Sequence, residues 1–161
     1  NNLIMKLEGL RSIVFGYHNI ILHGLFVSLA WIKIYRKVPT AREFICILLH
    51  DIGYILQDEV ESMNDKHPLL GAEICGKLFG HKYYALCIGH SRAFAMKRNI
   101  ELSRLCYADK YCVLIMPIRL QHVLSKFDTG VNVYITREEY LKWWKENGHS
   151  VQSLPFKHTN K

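Results

Sequence analysis

His50 and Asp51 follow the apolar run Phe44-Ile45-Cys46-Ile47-Leu48-Leu49 and set one imidazole nitrogen beside one carboxylate oxygen. A borderline-soft ligand next to a hard one is half of a divalent-metal site, and Gly53 just beyond lets the backbone turn. His23, His90 and Asp109 invite the same chemistry, since each shares the core-facing stripe of a helical pattern with hydrophobic residues. An unpaired carboxylate in a dry interior is costly, so Asp51 and Asp109 need a cation or full hydrogen bonding. Taken singly, His23 and His90 fit hydrogen-bonded core histidines, and Asp109 fits a buried salt bridge. One ion accounts for all of them together, and helices that aim imidazoles and carboxylates at a common interior build metal centres in this way.

The elements that must hold these residues are helical. Residues 3–14 carry a mixed, largely apolar pattern, and Ile20, His23, Val27, Ala30 and Ile34 recur at helical spacing over 17–37. Pro39 ends that helix, and Thr40-Ala41-Arg42-Glu43 is a capping box that opens the helix leading to Asp51. Residues 58–66 are polar and acidic and read as a loop suited to a lid over substrate. His67-Pro68 starts the next helix and Gly80 closes it. One helix is expected over 82–97 with Tyr83, Leu86, Cys87, His90 and Phe94 on a stripe, and another over 101–116 whose apolar face only Asp109 interrupts. Pro117 begins a further helix to Phe127, residues 131–135 are expected to be extended, and Thr136-Arg137-Glu138-Glu139 is a second capping box that opens a helix ending near Gly148. The expectation is an all-α, single compact domain of about six to eight helices. Residues 17–127 form its motif-bearing core, and 136–161 form a C-terminal helix and tail.

With 161 residues, half of them apolar, the chain can bury a core without disulfides. The apolar stretch 13–35 is broken by His18, Asn19, His23 and Lys33, each costly at bilayer depth, so a soluble cytoplasmic protein with no membrane partner is expected. Cys46, Cys75, Cys87, Cys106 and Cys112 contain no C-x-x-C pair and read as reduced core thiols. The formal charge of +7 favours anionic partners, but no basic run marks a nucleic-acid tail.

The ordered set His23-x-x-x-Val27-x-x-Ala30, Leu49-His50-Asp51-Ile52-Gly53, His67-Pro68-Leu69-Leu70-Gly71-Ala72, His90 and Ala108-Asp109-Lys110 resembles the HD-domain superfamily of metal-dependent phosphohydrolases. The likeness covers more than half of the chain, and no one piece of it is specific without the others. It implies an all-helical fold in which His23, His50, Asp51 and Asp109 bind a divalent ion, one of Mn, Co, Fe, Ni, Mg or Zn. In two-metal members histidines stand where His67 and His90 stand here, so these two are expected at a second metal or at phosphate. The chain departs from the fuller two-metal pattern of cyclic-dinucleotide phosphodiesterases in having Ser91 after His90, and Gly53-Tyr54 where many relatives have Gly-Lys.

The expected activity is hydrolysis of a phosphoester or phosphoanhydride of a nucleotide or other small phosphorylated molecule. Asp51, or Glu59, Glu61 or Asp65 in the following loop, would take the water proton. Lys110, Arg92 and Arg104, with Arg11 behind them, would meet the phosphate, and Tyr54, Tyr83, Phe94 or Tyr107 would stack on a base. Nuclease, cyclic-nucleotide phosphodiesterase and di-iron oxygenase chemistry on the same fold are alternatives, as is a non-catalytic regulatory module that keeps the metal as a structural prop. Nucleic acid is a less favoured partner, and aromatics around Trp143-Trp144 leave room for a homo-oligomer surface.

Overall fold

The computed structural model describes residues 2–56, 66–128 and 133–151. Among these are nine α-helices: α1 (Asn2–Phe15), α2 (Ile20–Tyr35), α3 (Ala41–Leu49), α4 (His67–Phe79), α5 (His81–Ile88), α6 (Arg92–Arg98), α7 (Arg104–Ile115), α8 (Ile118–Ser125) and α9 (Val133–Val151), with a 3-10 turn at Ile52–Leu56. No strand occurs among the described residues, which form one all-helical domain.

Local chemistry sets most of the boundaries. The Asn19 side chain accepts from the Ile21 and Leu22 amides and so caps α2, which ends at Arg36 in the left-handed conformation. The Thr40–Glu43 capping box is present in full at the start of α3. Gly80, at φ 94°, separates α4 from α5 with a backbone that an L side chain disfavours.

α2 and α7 lie against each other through the middle of the domain, α3, α4 and α5 pack together on one side, and α1 covers the 3-10 turn. Trp31, Ile47, Leu105 and Met116 are fully buried among them. No single helix is long and apolar enough to cross a membrane among the described residues. The apolar 13–35 stretch is instead bent by 62° between α1 and α2, and α2 buries Val27, Ala30, Trp31 and Ile34 in the core.

Several expectations need correction. The helix over 82–97 is two helices, α5 and α6, broken at 89–91, because the Gly89 carbonyl accepts from the Ser103 amide and the Ser91 hydroxyl caps α6. Residues 133–135 are helical rather than extended, since α9 begins at Val133 and Thr136 lies inside it. The Arg137 guanidinium donates to the Val113 and Leu114 carbonyls at 2.7 Å each, closing the C-terminal end of α7 and fixing α9 against it. Trp143 and Trp144 are half-buried against Tyr107 and Tyr111 of α7 rather than fully exposed. The loop 57–65, with its lid role and the acids Glu59, Glu61 and Asp65, lies outside the described residues, as does the tail 152–161.

Candidate metal centre

His23 comes from the first turn of α2 and Asp109 from the middle of α7, where the crossing of the two helices sets them face to face. His50 and Asp51 follow the last residue of α3, and the 3-10 turn begins directly after them. One ligand atom each from His23, His50, Asp51 and Asp109 fall within 4.8 Å of one another, and all four residues are buried. The close approach of α4 makes this turn: a Cβ on Gly53 would overlap the His67 carbonyl. Only glycine lets the chain bring His67 this near to Asp51.

His23 Nε2 lies 3.0 Å from Asp109 Oδ1 and 3.4 Å from Asp51 Oδ2, and His50 Nε2 lies 3.2 Å from Asp51 Oδ2 and 3.7 Å from Asp109 Oδ1. Both Nε2 atoms are nonetheless buried without a hydrogen bond of acceptable geometry. At His50, Nδ1 donates to the Ile47 carbonyl at 2.6 Å, which turns Nε2 toward two carboxylates, where it carries a proton or meets an ion. Lone pairs converging on anionic oxygens repel unless a cation sits among them. The backbone tether on Nδ1 is the outer support common to metal-binding imidazoles. By this test the four residues fit a divalent ion.

Without an ion, protons do part of its work. Burial alone would lower the His50 pKa, yet the Asp51 and Asp109 carboxylates raise it to about 10. Burial would raise both aspartates, but His50 above all holds Asp51 far below the usual carboxylate range, and Lys110 does the same for Asp109. The Lys110 ammonium is 2.5 Å from Asp109 Oδ2, which leaves Oδ1 to the two histidines.

Asp51, His67 and His90 form a second buried group that could hold an ion. His90 Nδ1 donates to the Cys87 carbonyl at 2.6 Å, while its Nε2 stands 2.9 Å from His67 Nε2 and 3.1 Å from Asp51 Oδ1. Burial pushes the His90 pKa down to about 4, so its Nε2 carries a lone pair at neutral pH. The His67 ring stacks on Tyr54 with centroids 4.2 Å apart. His90 therefore belongs to this group from the turn between α5 and α6 and not from the stripe of a continuous helix.

A cavity of about 500 Å³ opens above both groups, lined also by His18, Tyr54, Arg92, Lys110, Glu139 and Tyr140. Of the expected phosphate-binding cations, Lys110 and Arg92 line it, the latter with its guanidinium 5.3 Å from the Trp143 ring. Arg104 does not: it donates to Glu43 Oε1 at 2.7 Å and lies over Trp31 at 4.8 Å, tying α7 to α3. Arg11, Tyr83, Phe94 and Tyr107 are also absent from the lining, whereas Tyr54 is part of it.

Three contributors escaped the sequence reading. His18, its Nδ1 2.9 Å from the Ser12 hydroxyl and its ring 4.4 Å from that of Tyr54, borders the cavity just before the α2 cap. Its one signal was a histidine inside an apolar stretch, and it lay outside the helical period that marked His23. Glu139 and Tyr140 arrive from α9, and no local pattern announces where a C-terminal helix docks. No family model, curated protein or solved structure matches the chain.

Proposed function

We propose that the chain is a metal-dependent phosphohydrolase of the HD-domain kind, acting on a nucleotide or another small phosphorylated molecule. One observation carries this reading: unpartnered histidine nitrogens and two carboxylates converge in a dry pocket floor, directly below a cavity with Lys110 and Arg92 on its wall. Two aspartates and Lys110 leave the floor near one negative charge when the histidines are neutral, so a divalent cation would turn it attractive to phosphate.

A divalent ion bound there would supply Lewis acidity toward a phosphoryl oxygen and a lowered pKa for an attacking water. The chain's own residues orient the reactants. His50, anchored through Ile47, and Asp109, anchored through Lys110, fix the donor set before substrate arrives. Arg92 and Lys110 would take the non-bridging oxygens, Arg by paired donation and Lys as a point charge. Asp51, with one oxygen toward each group, would serve as a shared ligand there. Tyr140 lines the cavity within reach of a base or sugar, whereas the Tyr54 ring is buried against His67 and His18.

The second group, with two histidine nitrogens 2.9 Å apart beside Asp51 Oδ1, favours occupancy by two ions over one. The test is a single preparation made without chelator. Its metals are counted, and phosphate release is screened on nucleoside mono- and triphosphates, cyclic nucleotides and an aryl phosphate. Asp51→Ala and Asp109→Ala should lose at least about a hundredfold of the best activity. Parent-like rates in both variants would refute the assignment.

A further inference from the structure

Cys46 of α3, Cys75 of α4 and Cys87 of α5 are each fully buried, and their three sulfurs lie within 4.8 Å of one another. Cys106 and Cys112 are equally buried but belong to no such group among the described residues, so burial by itself does not bring the thiols together. We propose that the three sulfurs form a second, separate site that takes one thiophilic metal ion of low coordination number, of the Cu(I) class.

The geometry suits that ion. Three sulfurs around a metal at the bond length typical of zinc thiolates stand about 4.0 Å apart, so the trio needs only small side-chain adjustments to close on it. Among the described residues no imidazole or carboxylate joins the three, and structural zinc calls for a fourth donor. Thiolate-only surroundings select soft ions, and a three-sulfur set selects those content with two or three ligands. Charge points the same way: Cu(I) held by two thiolates and one remaining thiol leaves a single negative charge in the dry core. A third deprotonation would bury a further negative charge in the dry core at added cost. Binding would thus release two protons to solvent for each ion taken up.

The site does not depend on the phosphohydrolase reading, although the same helices serve both. Cys46 lies one turn before His50, and the Cys87 carbonyl is the group that orients His90. Its test uses the full chain, reduced and stripped of metals, titrated with Cu(I) presented by a colorimetric Cu(I) chelator. One Cu(I) per chain should leave the chelator, with thiolate-to-copper charge-transfer absorption and sulfur-only coordination by X-ray absorption. Cys46→Ala, Cys75→Ala and Cys87→Ala should each weaken binding by at least about a hundredfold, while Cys106→Ala should bind as the parent does. Copper that stays with the chelator, shows nitrogen or oxygen ligation, or is held equally by the folded alanine variants would overturn the proposal. The coordination measurement on the parent decides the matter even where a variant does not fold.

Discussion

Asp51 reaches His90 Nε2 with Oδ1 at 3.1 Å while its Oδ2 faces the opposite group, His50 Nε2 at 3.2 Å and His23 Nε2 at 3.4 Å. One carboxylate therefore has an oxygen in each of two histidine sets. Asp109 has no such double role: Oδ1 serves the first set and Oδ2 is held by Lys110. The two aspartates, alike in type and burial, occupy unequal places in the centre.

That inequality predicts different metal counts. Asp51→Asn keeps the volume but removes the shared anionic ligand, so it should purify with neither ion. Asp109→Asn should lose the ion of the first set and keep the one between Asp51, His67 and His90. Emission spectrometry of dialysed protein reads both, and equal counts in the two variants would contradict the shared role. Loss of a direct ligand should exceed the roughly 10- to 100-fold affinity cost typical of outer-shell changes.

Gly53→Ala tests how the turn is built. The added methyl would overlap the His67 backbone, which no side-chain rotation relieves, so α4 must move away from the turn. His67 would retreat with it, and overpacking of this kind costs about 1–3 kcal/mol. The expected result is a lowered melting temperature together with selective loss of the second ion. A variant that retains both ions at parental affinity would show that the approach of α4 to this turn is not what sets the second group.

Much of this centre was legible in the chain because each of its residues breaks a local rule. A histidine or aspartate on an apolar stripe advertises burial, and His23, His50, Asp51 and Asp109 did meet. The Thr40 and Asn19 caps and the end of α4 at Gly80 rest on neighbours in sequence, which is why short windows sufficed for the Thr40 box and for Gly80. What stayed hidden depends on distant partners. Arg104 looked like a phosphate ligand because it shares a helix with Asp109, yet it lies five residues away on another face and pairs with Glu43. Thr136 and Glu139 had the pattern of a capping box inside a helix that starts earlier, and Arg137 spends its charge on α7 carbonyls.

Arg104 should accordingly matter to stability and not to substrate. Burial would raise the Glu43 pKa, but hydrogen bonds from Thr40 and the Arg104 charge bring it below its ordinary value. A carboxylate depressed in the folded state adds stability at pH above its unfolded pKa and loses it as pH falls through the folded value. Arg104→Met should cost about 3 kcal/mol by leaving Glu43 without its cation, and should flatten the acid side of the stability profile. Urea melts between pH 3 and pH 7, taken as roughly spanning the carboxylate range, measure both effects. A higher KM with unchanged stability would return Arg104 to the substrate.

The proton on His50 gives the last test. With its folded pKa raised to about 10 by Asp51 and Asp109 against the opposing effect of burial, His50 is charged at neutral pH in the metal-free protein. Its contribution to metal-free stability is full below the unfolded histidine value, near 6.5, and is lost as pH climbs through about 10. An ion that binds Nε2 must displace that proton, since Nδ1 is committed to Ile47. Binding should therefore release about one proton from His50 at neutral pH and strengthen about tenfold per pH unit over the range in which this proton is displaced. Calorimetric titration in two buffers of different ionisation enthalpy counts the protons. No release at neutral pH would mean that His50 does not bind through Nε2, and the first donor set would have to be redrawn without it.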